Sequence, residues 1–154
     1  MSAEIASNRR AFHNYQITEK IEAGIELLGT EVKSIRAGSA NLNNAFARVE
    51  NNEVFLYDAD IQPYERASHT QHEPKRRRKL LLHRAEIAKL FSTTAIQGLT
   101  LIALRLYWKN GRVKVELGLG RGKSAIDKRH DLKEKVIKRE TDRTMAAFNR
   151  QHER

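Results

Sequence analysis

A glycine-rich segment, Gly118-Leu-Gly-Arg-Gly-Lys-Ser124, carries residue types that can cradle phosphate. It follows a strand-like run and ends in Gly-Lys-Ser, as a nucleotide-binding loop does. Such a loop needs four residues between its first and last glycine, whereas three separate Gly118 from Gly122. The apolar run that would supply a magnesium-binding carboxylate, Asp58, lies in a predicted hairpin. We therefore predict no nucleotide hydrolysis and interpret the segment as a hinge whose amides and Lys123 contact phosphate.

The histidines and carboxylates form no clear catalytic or metal-binding pattern. His69 and His72, with Glu73, have a spacing that suits metal coordination from a helix, but their polar surroundings predict a loop without an obvious fourth ligand. Glu22 and Glu26 fall opposite the apolar residues of a predicted strand, which indicates a solvated face. The chain has no cysteine, so disulfides and thiolate metal sites are excluded. We predict a protein that is not an enzyme and that has no cofactor or metal.

The whole chain has a formal net charge of +10, and its positive charge is concentrated in the second half. Residues 1–74 carry 7 Lys or Arg and 11 Asp or Glu, residues 75–120 carry 11 and 2, and residues 121–154 carry 11 and 6. Lys75-Arg-Arg-Arg-Lys79 is an unbroken cationic run. Cations placed in this way indicate a polyanionic partner, bound through phosphate contacts and counterion release. The alternative interpretation is a basic surface that serves solubility.

The number and spacing of the aromatic residues indicate which kind of nucleic acid the protein binds. The 4 Tyr, 5 Phe and 1 Trp are dispersed, which is little material for a platform that stacks successive single-stranded bases. Tyr107 and Trp108 are adjacent, so on a strand they point to opposite faces. We therefore predict a folded RNA that is recognised by its shape and backbone.

The chain shows no feature of secretion or membrane insertion. Residues Met1–Asn8 lack the basic start and apolar run of a signal peptide. The longest apolar stretch, Leu99–Leu104, is far shorter than the roughly 20 residues that span a bilayer. We expect a cytoplasmic protein.

Two predicted hairpins supply most of the elements that position these residues. Strand-like runs at 45–50 and 54–61 are joined by Asn51-Asn52-Glu53. The runs Leu99–Trp108 and Arg112–Leu119 are joined by Asn110-Gly111, the strongest hairpin turn in the chain. The second run of this pair alternates apolar and charged residues, which predicts one buried face: the apolar positions are Val113, Val115, Leu117 and Leu119.

The remaining elements are a strand and two helices. Alternation from Ile21 to Leu27 predicts a half-buried strand, and Glu31–Arg36 suits a short helix that ends at Gly38. A second helix ends at Gly98 and places four residues on one face: Ile87, Leu90, Phe91 and Thr94. Short strands joined by hairpins favour a closed antiparallel barrel flanked by helices, because closure removes exposed strand edges.

The chain is predicted to have three parts. Residues 1–8 look disordered, residues 9–120 form the RNA-binding β-barrel, and residues 121–154 form a basic tail. Opposite charges four apart in the tail favour a helix, but its apolar residues are too sparse to pack a face. We predict a tail that is disordered alone and becomes helical on a polyanion.

Several motifs, in the same order along the chain, resemble the SmpB family over about residues 8–140. They are Asn8-Arg-Arg-Ala-Phe-His-Asn-Tyr15, Glu22-Ala-Gly24, Gly29-Thr-Glu-Val-Lys-Ser-Ile-Arg-Ala-Gly38, Arg78-Lys-Leu-Leu-Leu82, Leu106-Tyr-Trp-Lys-Asn110 and Gly122-Lys through Asp127-Lys-Arg129. The set is specific although no single motif decides the matter. The resemblance implies a mainly β fold, a closed antiparallel six-stranded barrel of oligonucleotide-binding type with about three short helices and a flexible basic C-terminal tail.

The resemblance also implies a function and partners. The family binds the tRNA-like domain of transfer-messenger RNA (tmRNA, also called SsrA RNA). The complex, which includes elongation factor Tu, enters stalled ribosomes for trans-translation, and the nascent chain is tagged for degradation. The tail would become helical in the decoding centre and the empty mRNA channel. We expect a monomer. A generic structured-RNA-binding or ribosome-associated protein is the alternative, and a small phosphate-handling enzyme is a third interpretation.

The resemblance carries over to individual positions. Glu22, Leu81 and Lys114 match family residues associated with RNA binding, and Lys114 is the straightforward phosphate ligand among them. The whole set of implied RNA-side residues is Asn8, Arg9, Arg10, Tyr15, Glu22, Lys33, Arg36, Lys79, Leu81, Lys109 and Lys114. The implied ribosome-binding residues of the tail are Lys123, Asp127, Lys128, Arg129, Lys133, Lys135, Lys138 and Arg139.

Overall fold

Strands are the most common element of the computed structural model, which describes residues 2–64, 71–123, 137–139 and 143. The chain divides into two units, Met1–Gly122 and Lys123–Arg154. In chain order, the elements of the first unit are β1 (Ser2–Ser7), α1 (Ala11–Asn14), β2 (Tyr15–Ile25), α2 (Gly29–Arg36), β3 (Ala40–Asn41), β4 (Phe46–Glu50), β5 (Glu53–Tyr57), β6 (Asp60–Ile61), β7 (Arg78–Leu81), α3 (Arg84–Phe91), a π-helical turn (Ser92–Ile96), β8 (Thr100–Lys109) and β9 (Arg112–Gly122).

The strands form a large antiparallel sheet in the order β1-β8-β4-β5-β7-β2-β9, and β9 also pairs with β8. Strand β8 pairs with β4 at Leu101 and Ile102, with β1 from Arg105 to Lys109, and with β9 along nearly its whole length. Strands β3 and β6 form a separate two-stranded sheet. The prediction of a mainly antiparallel β fold with short helices is confirmed.

Both predicted hairpin turns are present. Asn51 and Asn52 have φ of 50° and 64°, and they connect Glu50 to Glu53. Asn110 and Gly111 have φ of 53° and 75° between Lys109 and Arg112. Positive φ at both central residues is the turn whose twist matches that of paired strands, and asparagine and glycine tolerate it best. The turn residues therefore determine the register of β4 with β5 and of β8 with β9.

The core lies on the inner face of the sheet. Val115 and Leu117 are fully buried, Leu119 is nearly so, and Val113 is only slightly exposed, which confirms the predicted alternation in β9. Helix α3 contributes Leu90, which is also fully buried. Phe91, predicted on the same face, is instead 53% exposed, because it lies one residue further round the helix than Leu90.

The N-terminal segment is more ordered than predicted. Residues 1–8 were expected to be disordered, but Ser2–Ser7 form β1 and pair with β8. The Asn8 amide then donates to the carbonyl oxygen of Leu104 at 2.8 Å. Strand β1 satisfies backbone groups along the edge of β8 beyond its contact with β4, and unpaired edges of this kind favour the addition of a strand.

The predicted glycine hinge is instead part of a strand, because β9 runs to Gly122. A Cβ on Gly120 would lie 2.6 Å from the Gln16 carbonyl oxygen of β2. A Cβ on Gly118 would lie 2.9 Å from Leu104 Cδ1. These two glycines therefore permit close packing between strands, and the interpretation of the segment as a flexible joint is wrong.

Replacing Gly120 with alanine should lower the free energy of unfolding by about 1–3 kcal/mol, since the new methyl group must displace the backbone of β2. Equilibrium urea denaturation measures the loss. Gly122→Ala is the matched control in the same strand, because a Cβ there meets no atom of the described residues within 4 Å. Similar losses for the two variants would show that close packing against β2 is not the reason that position 120 requires glycine.

Candidate nucleic-acid interface

Three of the predicted RNA-side residues converge on the outer face of β2, β8 and β9. Strand register places Gly24 of β2 opposite Lys114 of β9, and Lys114 opposite Tyr107 of β8. Glu22 lies two residues before Gly24 in β2, and Lys109 lies two residues after Tyr107 in β8, so both share the face of these partners. Residues 85 or more positions apart in the chain are thus brought into contact.

Glu22 is held by two side chains from β8. The Tyr107 hydroxyl donates to Glu22 Oε2 at 2.6 Å, and Lys109 Nζ donates to the two carboxylate oxygens at 3.1 Å and 3.3 Å. The Tyr107 and Lys109 hydrogen bonds, with the charges of Lys109 and Lys114, hold the pKa of Glu22 below its usual value. Burial and the bond to Glu22 raise the pKa of Tyr107. At neutral pH the carboxylate is therefore ionised and the phenol is a donor.

A shallow open groove of about 390 Å³ is lined by Glu22 and Tyr107. Glu116, the second acid in it, is bound by Arg105 at 3.0 Å and by Lys20 at 3.8 Å. The groove is lined by Lys20, Ile21, Glu22, Arg105, Tyr107, Lys109 and Glu116. Cations outnumber carboxylates here, so the groove is suited to a polyanion that also presents hydrogen-bond donors.

Leu81 adds an apolar contact beside the groove. It is 48% exposed and pairs with Gly24 across β7 and β2. A Cβ on Gly24 would lie 3.2 Å from Leu81 Cβ, so the leucine covers the glycine. Gly24 also pairs with Lys114 of β9. The exposed side chain of Leu81 is therefore separated from Lys114, the candidate phosphate ligand, by strand β2 alone.

The cationic run Lys75–Lys79 is largely paired with carboxylates, although the sequence indicated a run of available charge. Arg77 pairs with Glu50 at 3.3 Å, and Lys79, one of the predicted RNA ligands, pairs with Glu53 at 3.2 Å. Neutralisation by acids from neighbouring elements reduces the charge that the run presents to a polyanion.

The centre of the run is buried. Arg78 is completely buried and donates to Glu31 Oε2 and to the carbonyl oxygen of Ala59. Arg76 donates to the other carboxylate oxygen of Glu31 at 2.6 Å. Burial would raise the pKa of Glu31, but the hydrogen bonds from Arg76 and the Leu28 amide and the charge of Arg78 hold it below its usual value. This ion pair joins α2 to β7 and has a structural role.

The other predicted RNA-side residues have separate environments. Asn8 is buried, and its amide group donates to the carbonyl oxygen of Ala103 at 3.1 Å, so its side chain is engaged within the fold. Arg9 and Arg10 are exposed, and Tyr15 is half-buried against the cluster around Ala11.

The two cations predicted on α2 are exposed and lie near aromatic rings. Lys33 lies over the ring of Tyr64 at 5.7 Å, and Arg36 lies at the same distance over the ring of Trp108. Trp108 packs against the core, whereas Tyr107 bonds Glu22 on the outer face. Their opposite orientations are as predicted.

His72 has a structural role. Its Nδ1 is 2.9 Å from the Thr30 hydroxyl and its Nε2 is 2.7 Å from the Ile61 carbonyl oxygen. His69 lies outside the described residues. Within the part of the chain that is described, no group of three or more histidine, aspartate or glutamate side chains is placed to hold a metal ion. No described helix is long and apolar enough to cross a membrane.

A family model described as SmpB protein matches residues 5–147. The chain belongs to the SmpB family. SsrA-binding proteins of Carboxydothermus hydrogenoformans and Macrococcus caseolyticus are 51% and 56% identical to it over 147 and 141 residues. These alignments cover 96% and 92% of this chain and 99% and 92% of those proteins.

A solved SmpB structure is also similar. The chain aligns with a chain of "tmRNA-SmpB: a journey to the center of the bacterial ribosome" with a TM-score of 0.66 and 46% sequence identity. The match covers 82% of this chain and 92% of that one. The family resemblance of the sequence motifs is therefore confirmed.

Most of the predicted tail residues of this SmpB family member lie outside the described part of the chain: Asp127, Lys128, Arg129, Lys133 and Lys135. Residues 137–139 and 143 are helical, with Lys138 and Arg139 exposed, and Lys123 directly follows β9. The prediction that the tail is disordered alone therefore remains a prediction.

Sequence reasoning missed Tyr107 as a member of the candidate site. Its signal was its position in Leu106-Tyr-Trp-Lys-Asn110, two residues before Lys109 and therefore on the same strand face.

Proposed function

We propose that this protein binds the tRNA-like domain of tmRNA and delivers it to stalled ribosomes for trans-translation, ribosome rescue and tagging of the nascent chain. The observation that carries this proposal is the convergence of Glu22, Lys109 and Lys114 on one outer face in a member of the SmpB family. Relatives named SsrA-binding proteins that share about half of the sequence support it.

Each side chain of this face has a distinct chemical role. Lys114 contacts RNA phosphate, since its ammonium group offers donors and positive charge. Glu22 repels phosphate and instead accepts a hydrogen bond from the RNA. Leu81 packs against an unstacked base or a ribose, because it offers only apolar surface. A mixed set of this kind favours a folded RNA whose backbone, hydroxyl groups and exposed bases lie close together.

The proposed fold of the protein is a six-stranded barrel of oligonucleotide-binding type. The pairings run from β8 through β4, β5, β7, β2 and β9, and β9 pairs again with β8, which supports closure. The basic tail is disordered in the free protein and becomes helical on the ribosome, in the decoding centre and the empty mRNA channel. The protein acts in the cytoplasm as a monomer, together with elongation factor Tu, and it makes or breaks no covalent bond.

Replacing Lys114 with alanine should weaken binding to the tRNA-like domain and reduce the slope of log affinity against log salt by about one unit, because one phosphate contact is lost. Titrations of the purified protein at several salt concentrations measure both quantities. Arg48→Ala is the matched control, since Arg48 is an exposed cation on β4, which pairs with neither β2 nor β9. A slope unchanged by Lys114→Ala would mean that Lys114 does not contact phosphate.

A further inference from the structure

Tyr107 supports Glu22 from below. The tyrosine is 4% exposed, whereas the side chains of Glu22 and Lys109 are 40% and 46% exposed. Packing holds the phenol ring, and the Lys109 ammonium reaches the same carboxylate on a flexible stem. Tyr107 is therefore the rigid anchor of the carboxylate, and little of its own surface is exposed in the groove.

The acceptor positions of Glu22 are almost filled. A carboxylate has about four acceptor positions, two on each oxygen. Among the contacts of the described residues, Oε2 accepts from both Tyr107 and Lys109, and Oε1 accepts only the longer bond from Lys109, at 3.3 Å. One position therefore remains on Oε1, in a residue that lines the groove. A single remaining acceptor suits one donor and excludes the paired donors of a guanine edge.

We propose that Tyr107 is a positioning residue for RNA recognition, which fixes Glu22 so that Oε1 accepts one hydrogen bond from an RNA hydroxyl or amino group. This inference rests on the proposed function of the face. The charges of Lys109 and Lys114 act on the carboxylate and offset its repulsion of the RNA backbone. Fixing the acceptor before binding reduces the entropy cost of forming that bond.

Tyr107→Phe tests the inference, since it removes the hydroxyl and retains the ring. It should weaken binding to the tRNA-like domain by roughly tenfold, as expected if Glu22 is no longer held to accept its charged hydrogen bond from the RNA. The salt slope should stay unchanged, because no cation is removed. In the free protein, the pKa of Glu22 measured by carboxyl-carbon NMR should rise, since a bond to the charged form is lost.

The chain offers a matched control, Tyr57→Phe. The Tyr57 hydroxyl also donates to a carboxylate, Glu50, but on the face of β4 and β5. This variant should leave RNA affinity and the Glu22 pKa unchanged. If Tyr107→Phe weakens binding no more than Tyr57→Phe does, the positioning role is wrong.

A double-mutant cycle with Glu22→Gln shows whether Tyr107 acts through Glu22. In the Glu22→Gln background, Tyr107→Phe should cause little further loss of affinity, whereas additive losses would overturn the inference. Glu22→Gln by itself should give a similar loss without changing the buried ring, which guards against a folding defect in Tyr107→Phe. The pKa of Glu22 in the free protein tests the anchoring by Tyr107 without any RNA. If the wild-type protein shows no preference for the tRNA-like domain, the proposed function is wrong, but the test of the anchoring still stands.

Analogue interference identifies the donor on the RNA. We expect one nucleotide at which either a 2′-deoxy substitution or removal of the exocyclic amino group weakens binding of wild-type protein but not of Glu22→Gln. The first result assigns a ribose hydroxyl and the second a base amino group. Absence of such a nucleotide for both kinds of analogue would overturn the proposed acceptor role.

Discussion

Replacing Glu31 with glutamine is expected to lower the free energy of unfolding by about 3–5 kcal/mol. The Arg78 guanidinium beside Glu31 is completely buried, and the substitution leaves its charge without its ion-pair partner. Arg76, at 2.6 Å, loses the same partner. Removing one member of a buried pair costs far more than the pair contributes, because the remaining charge stays desolvated. Equilibrium urea denaturation at neutral pH measures the loss.

The same cationic run offers a matched control. Glu53→Gln removes the partner of Lys79, and the two side chains are 46% and 38% exposed. An exposed pair of this kind contributes less than about 1 kcal/mol. Equal losses for the two variants would contradict the structural role of the Glu31–Arg78 pair.

The contribution of Glu31 should also depend on pH. Because its pKa is lower in the folded protein than in the unfolded chain, its stabilisation is complete above the unfolded value and is lost as pH falls through the folded value. The difference in stability between wild type and Glu31→Gln should therefore shrink in acid. Urea denaturation at a series of pH values measures it, and a difference that grew in acid would contradict the direction of the shift.

Truncation before Ile126 should leave binding to the tRNA-like domain nearly intact and reduce tagging on stalled ribosomes to background. The candidate interface lies on β2, β8 and β9, all of which end before this position. The deletion removes nine of the 29 Lys and Arg residues, which would contact ribosomal RNA. Binding titrations and a reconstituted tagging assay measure the two activities.

Lys114→Ala in the full chain is the complementary variant. It should weaken binding to the RNA while retaining the tail, so the two variants should impair different steps. Loss of most RNA affinity in the truncated protein would contradict the division of roles between the strands and the tail.

Local features of the fold could be predicted from the sequence. The hairpin at Asn110-Gly111 and the alternation from Val113 to Leu119 are contained in a short window, so turn chemistry and periodicity determine them together. Strand β1 was missed, since its partner in β8 lies about a hundred residues away.

The candidate site could be predicted only in part, for the same physical reason. The family motifs indicated Glu22, Leu81, Lys109 and Lys114, and the structure places them on neighbouring strands. The bond between Tyr107 and Glu22 spans 85 positions, so no local pattern indicates it.

The basic run shows what a local reading of charge misses. Its cations suggested charge available to a polyanion, because five adjacent like charges are ordinarily solvated. Glu31, the buried partner of Arg78, lies 47 residues earlier in the chain. No local pattern in the sequence indicates that the two residues pair.

Competitive binding is the most direct test of the central claim, that the outer face of β2, β8 and β9 selects the tRNA-like domain of tmRNA. Purified protein is titrated with that domain against ordinary tRNA across a salt series. We expect a preference for the tRNA-like domain that persists at physiological salt and is diminished in Glu22→Gln. Equal binding of both RNAs, fading together as salt rises, would contradict the claim and leave only a basic RNA-binding surface.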